Sequence, residues 1–285
     1  MIGIGSGLRT RPTVAKIVSR LKLCKLKYSG ALPQISWLET GSMLFQPNRN
    51  WPTHKLADPR TASGKSVRFE TPLGPIYWDS RNRPFLGLLV LEQLCEPYEN
   101  GSVGIHNGDI VLDLGAHVGT FTRFALRRGA ARVIAVEAEP THAELLRQTF
   151  AKEIKEGVVT VVASAVWRNE DGVHFHSDGV GSKISDSGSL CVPTITVDKI
   201  VTQLGLERVD FIKADIEGAE RHAIVGAAKT IERFAPRMAF CIYHFVDDPR
   251  VIPETVMSIR PYQVTMNVAH EQAYFQPPVD TRVVQ

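Results

Sequence analysis

Three stretches of the chain carry residue types and spacings that can do chemistry. The first is Asp113-Leu-Gly-Ala-His-Val-Gly119. Glycines at 115 and 119 let backbone approach a ligand closely. A dinucleotide turn has Gly-x-Gly-x-x-Gly spacing and seats a pyrophosphate on a helix N-terminus. Here the spacing is Asp-x-Gly-x-x-x-Gly, and the carboxylate at the strand end would repel a pyrophosphate. The pattern suits S-adenosylmethionine, which has no phosphate and carries an ammonium and a sulfonium. The rival reading is a glycine turn without a ligand. The second stretch is Glu137-Ala-Glu-Pro140. An acid at the end of the second strand commonly holds the ribose hydroxyls of an adenosine cofactor, which makes Glu137 the candidate and Glu139 a weaker one. The alternative is a solvated loop acid. Ser164 and Ala165, after the third apolar run, belong near the adenine by topology alone. The third stretch is Val209-Asp-Phe-Ile-Lys-Ala-Asp-Ile-Glu-Gly-Ala-Glu220. Lys213 inside an apolar strand costs free energy unless it is paired. Asp215 and Glu217 follow at the strand's carboxyl end, where the cofactor's methyl should point. All three acids, Glu220 above all, could instead simply open a helix, whose first turn favours negative charge.

The elements that must position these residues follow from apolar periodicity. Short apolar runs at 109–114, 132–136, 158–163, 209–214 and 238–243 alternate with helical segments at 120–128, 141–155 and 217–232. That alternation predicts an α/β fold with a parallel, doubly wound sheet covered on both faces. In such a sheet the ligand sits at the carboxyl ends of the strands. Residues 262–284 should add edge strands. Upstream, Val67–Glu70 and Pro75–Asp79 predict a strand pair turned by Thr71-Pro-Leu-Gly74, and 84–97 a helix. The organisation expected is a basic extension and linker at 1–66, a strand pair and helix at 67–108, and a cofactor-binding domain at 109–285.

Taken together, Asp113–Gly119, Glu137–Pro140 and Lys213-Ala-Asp-Ile-Glu-Gly-Ala-Glu220 resemble the FkbM family of methyltransferases, extending to Glu70-Thr-Pro-Leu-Gly74 upstream and Tyr243-His244 downstream. The resemblance covers about 67–268. It implies a class I methyltransferase sheet of seven strands, mostly parallel with one antiparallel edge strand. It also implies S-adenosylmethionine as cofactor and O-methylation of a hydroxyl on a sugar, glycolipid or polyketide-like molecule. His117 departs from the family's commoner Asn. The cofactor-binding set is then Asp113, Gly115, His117, Gly119, Glu137 and Ala165. The catalytic set is Asp215, His244, Glu217 and Lys213.

Methyl transfer from a sulfonium is an in-line displacement that depends on alignment and exclusion of water. A hydroxyl acceptor also benefits from a base, and His244 has the better unperturbed value for that role, with Asp215 as the other candidate. His244 also reads as an ordinary structural histidine. No ligand spacing demands a metal and none is assigned, although Asp215, His244 and Asp247 or Asp248 could hold Mg²⁺.

Composition narrows the remaining classes. The 285 residues are 44% hydrophobic and 22% charged, ordinary for a globular protein. A formal net charge of +3 does not by itself imply a nucleic-acid partner. A nucleic-acid methyltransferase is nevertheless the first rival. Against it, Asp215-Ile-Glu-Gly lacks the Pro-Pro-aromatic loop that stacks a flipped base. A nicotinamide oxidoreductase lacks its phosphate loop, and a non-catalytic cofactor-binding protein is the third rival. Cys24, Cys95, Cys191 and Cys241 form no Cys-x-x-Cys pair, which fits free thiols in a reducing cytoplasm. No run is long enough to cross a bilayer, and no secretory signal is expected. Residues 13–28 predict a basic amphipathic helix that either packs on the domain or makes a peripheral contact with an anionic membrane or acidic partner. Oligomeric state is not readable.

Overall fold

Alternating apolar runs do become strands and helices in the computed structural model. It describes residues 58–278 apart from 64–65, 80–82, 177–182, 185–189 and 268–270, with isolated positions between 28 and 57. The basic helix expected at 13–28, and Cys24, lie outside the described residues but for Tyr28.

The chain first forms an antiparallel meander of β1 (Asp58–Ser63), β2 (Ser66–Thr71) and β3 (Gly74–Asp79). β1 lies in the stretch read as linker, whose Pro, Thr and Ser content concealed it. Thr71 closes the β2–β3 turn, its hydroxyl donating to Gly74 O at 2.6 Å and accepting from Leu73 N at 3.2 Å. After α1 (Arg83–Leu94) come β4 (Ile110–Leu114), α2 (Thr120–Arg127), β5 (Arg132–Glu137), α3 (Pro140–Thr149), α4 (Ala151–Lys155) and β6 (Val159–Ala163). Short strands β7 (Ala165–Val166), β8 (Val173–His176), β9 (Lys183–Ile184), β10 (Leu190–Val192) and β11 (Thr194–Ile195) follow, then α5 (Val197–Gln203). The chain continues through β12 (Phe211–Ala214), α6 (Glu220–Val225), α7 (Ala228–Phe234), β13 (Arg237–Cys241), α8 (Asp248–Ile259), β14 (Gln263–Asn267) and β15 (Gln272–Gln276).

Seven strands form the central sheet in the order β14-β15-β13-β12-β4-β5-β6. The pairs from β13 through β6 are parallel, while β15 runs antiparallel to both β13 and the edge strand β14. Strand alternation sorts side chains to two cores. Val111, Val133, Phe211 and Tyr274 face Leu86, Phe121 and the meander's Phe69 and Ile76. Leu112, Leu114, Ile134, Ile212 and Phe275 face Ile200, Ile224, Ile231 and Ile252 on the other side. The meander is joined to this body by Tyr77 N donating to Thr149 Oγ1 (2.9 Å) and Arg123 Nη2 donating to Pro75 O (3.1 Å).

Helix boundaries differ from the periodic reading for local reasons. The helix expected at 141–155 breaks at Phe150 (φ −111°), whose side chain is fully buried. The helix expected at 217–232 starts only at Glu220, because Glu217 and Gly218 take left-handed backbone (φ 54° and 95°). It breaks again at Gly226 and Ala227. α8 was not anticipated because Pro253 stands inside it. Among the described residues, no helix is long and apolar enough to cross a membrane.

Candidate active site

The carboxyl ends of β4, β5 and β12 carry all three sequence motifs to one cavity. At the centre is the loop after β4. Gly115 has φ 77°, and a Cβ there would lie 2.0 Å from the Asp215 carbonyl oxygen, so only glycine lets the two loops meet. Gly119 has φ 92°, and its added Cβ would lie 2.3 Å from the Phe150 ring. Gly115 N and Ala116 N donate to Val136 O at 2.9 and 3.0 Å, which draws the loop over the end of β5.

Asp113 and Lys213 are register partners on neighbouring strands, and both are buried. Lys213 Nζ stands 3.2 Å from Asp113 Oδ1 and donates to Gly115 O (2.7 Å) and Leu114 O (3.2 Å), while Thr122 Oγ1 donates to Asp113 Oδ2 (2.6 Å). Burial disfavours the ammonium, yet Asp113 and Asp215 outweigh it and hold Lys213 above the ordinary lysine range. Lys213 reaches the cavity wall, but Asp113 and Gly119 do not. These two residues therefore shape the loop from beneath it.

Glu137 lines the cavity at the end of β5. Its Oε2 accepts from His117 N (2.7 Å) and its Oε1 from Glu139 N (2.9 Å). Burial nevertheless pushes this carboxyl up to about 7, against those two donors. Glu139 is used differently, as the N-cap of α3, accepting from His142 N at 2.7 Å. The ring of His117 packs edge-on against His142 (4.2 Å) and Trp78 (5.3 Å). Burial, with His142 and Lys213 nearby, holds His117 well below the usual histidine value, so it is neutral. His117, Ser164 and Ala165 all line the cavity. Trp78 of the meander was not foreseen as a neighbour of this site, since only the tertiary fold brings β3 onto α3.

At the other end, Asp215 accepts from Tyr98 Oη (3.0 Å) and Tyr243 Oη (3.1 Å) and faces the cavity together with Glu217. His244 Nε2 lies 3.8 Å from Asp215 and 3.5 Å from Glu217, and Nδ1 lies 3.2 Å from Glu220. Burial would depress its basicity, but Glu217 and Glu220 raise His244 to about 10. These carboxylates therefore favour its protonated form at neutral pH. Glu220 does more than start a helix, because its Oε1 also accepts from Ile216 N (2.8 Å). Asp247 and Asp248 do not join this group, because Arg221 engages both, the latter at 2.6 Å. The tyrosine partners of Asp215 escaped the sequence reading because they lie 117 and 28 residues away in the chain.

The sheet order, with its single antiparallel strand and a cavity at the strand carboxyl ends, defines a class I methyltransferase fold. The methyltransferase FkbM domain model matches residues 113–263, more than half the chain, and the chain belongs to that family. No curated protein matches it. Among solved structures it is similar to the methyltransferase FkbM from Methylobacillus flagellatus KT, at 21% identity and a TM-score of 0.49. That match covers 70% of this chain, which spans just over half (55%) of that protein's length. It is also similar to Aeropyrum pernix fibrillarin in complex with S-adenosyl-L-methionine (12% identity, 77% of this chain and 96% of that one, TM-score 0.41). A third similar structure is a precorrin-6y C5,15-methyltransferase from Geobacter metallireducens (14%, 61% and 80%, 0.36). The cofactor implied by the family fits the residues present. Glu137 presents a carboxylate to the cavity, and Gly115, His117 and Ala165 line it beside that carboxylate.

Proposed function

We propose that the chain transfers a methyl group from S-adenosylmethionine to a hydroxyl of a small acceptor, a sugar, glycolipid or polyketide-like molecule. The observation that carries this reading is Asp215, a carboxylate at the cavity wall held in place by two tyrosine hydroxyls. Bound in the cavity, the cofactor supplies an activated methyl group. Glu137 would accept hydrogen bonds from the ribose, and His117 and Ala165 would flank the adenosine. Asp215 would orient the acceptor hydroxyl and take its proton as the oxygen attacks, a contribution of about 10²–10⁴-fold for a positioned base. With His244 protonated, Asp215 is the better base of the two. Lys213 contributes by fixing the loop and screening the carboxylates.

A nucleic-acid acceptor is less well supported. Asp215, Glu217 and Glu220 gather negative charge where a polyphosphate strand would have to run. A cytoplasmic setting rests on the free thiols of Cys191 and Cys241. The experiment is transfer of labelled methyl from S-adenosylmethionine into separated metabolites, glycolipids and nucleic acids. Label in an alkali-stable ether supports the reading. Label confined to nucleic acid would replace it, and absence of single-turnover transfer in every fraction would point to a non-catalytic binding protein.

A further inference from the structure

At the acceptor end of the cavity, among the described residues, Asp215, Glu220 and His244 bring ligand-type atoms within 4.8 Å of one another. Ligands about 2.1 Å from a shared ion stand about 3–4 Å apart, so small side-chain rotations suffice to close on one. Proximity of acids alone would not make a site. The polar atoms are also left over. His244 is 8% exposed in its side chain, yet neither Nδ1 nor Nε2 has a hydrogen bond among the described residues, because the nearby carboxylates lie off the ring's bonding directions. Glu220, 1% exposed, has Oε1 committed to Ile216 N and Oε2 unpartnered. Buried polar atoms are nearly always satisfied, and an imidazole offers one nitrogen to a given partner, so His244 and Glu220 Oε2, both buried and unsatisfied beside Asp215, mark a missing partner. Three carboxylates, Asp215, Glu217 and Glu220, favour a positive partner there, and a cation would take the place of the His244 proton. Arg221 is engaged by Asp247 and Asp248 and does not supply it.

We propose that Asp215, Glu220 and His244 form a divalent-cation site at the acceptor end of the cavity, with Glu217 able to swing in as a fourth ligand. One imidazole with carboxylates suits Mn²⁺, Fe²⁺ or Zn²⁺ better than an all-oxygen ion such as Mg²⁺. The ligands come from the turn after β12, the first turn of α6 and the loop after β13, so the fold delivers them independently of any ion. The open side of the site faces the cavity, where an acceptor hydroxyl would complete the coordination and become more acidic. With an ion bound, Asp215 would be a ligand, and Glu217, 42% exposed in its side chain, would take the hydroxyl proton in its place. This deepens the methyl-transfer reading and rests on it only for the role of the ion, not for its binding.

The test is calorimetric titration of the EDTA-treated, dialysed full-length chain with MnCl₂ and with ZnCl₂, and separately with S-adenosylhomocysteine. One saturable site per chain is expected, with proton release as His244 becomes a ligand. The affinity should fall about tenfold or more in Glu220→Gln and in Asp215→Asn. Thermal unfolding of each variant checks that it is folded, and loss of the ion-induced rise in Tm in a folded variant is a second readout. Absence of saturable binding, or unchanged affinity in both folded variants, overturns the site. Ion binding without S-adenosylhomocysteine binding would leave the site standing and defeat the methyl-transfer reading. Binding of S-adenosylhomocysteine without the ion would do the reverse.

Discussion

Single residues in this protein owe their behaviour to burial more than to type. Glu137 shows it most clearly. A carboxyl that accepts two backbone N–H groups should be more acidic than usual, yet burial takes it from 4.5 to about 7. In the free protein its contribution to stability is present below its ordinary value and lost as pH rises through about 7. Ribose hydroxyls donate to the ionised form, so binding should release a proton. Affinity for S-adenosylhomocysteine is expected to fall by up to about tenfold per pH unit below 7. Glu137→Gln is expected to bind weakly and without that pH dependence, and calorimetry in buffers of different ionisation enthalpy reads both effects. Lys213 makes the complementary case. Lys213→Ala leaves Asp113 buried and unpaired, which should cost about 3–5 kcal/mol in urea unfolding, whereas Lys213→Met with Asp113→Leu should recover part of it. Both residues were legible in the sequence as chemistry-bearing. Their mode of action was not, because the motif spacing gives no sign that Asp113 turns under the loop toward Lys213 and Thr122.

At the scale of elements, the site depends on loops that only glycine can form. Gly119→Ala would drive a Cβ into Phe150, at a left-handed φ that already disfavours a side chain. A loss of about 1–3 kcal/mol and weakened cofactor binding are expected, since overpacking of this kind costs that much. Thermal melts with and without S-adenosylmethionine separate the two effects. The strands at 110–114, 132–137 and 211–214 were readable because each is a short, mostly apolar run with a carboxylate at or beside its carboxyl end. α8 and β1 were not, since Pro253 and a Thr/Ser-rich composition mask them. The late start of α6 was also hidden. Asp215 to Ala219 are spent on a left-handed turn that points Asp215 and Glu217 into the cavity, and a helical periodicity cannot reveal that.

For the whole molecule, one arrangement follows from the parallel sheet. The carboxyl ends of the parallel strands open on one side, so residues spread from 89 to 219 line a single cavity, with His244 beside Asp215 at its edge. The meander of β1 to β3 backs that cavity through Trp78, whose ring packs on the lining residues His117 and His142. The account as a whole predicts a division of labour along the cavity, with Glu137 holding the cofactor and Asp215 serving the acceptor. Single-turnover methyl transfer by Asp215→Asn, alongside its affinity for S-adenosylmethionine, tests that division most directly. Affinity close to that of the native protein with transfer reduced by about 10²–10⁴-fold is the expected result. Native transfer rates in Asp215→Asn, or failure of the native chain to bind S-adenosylmethionine, would contradict it.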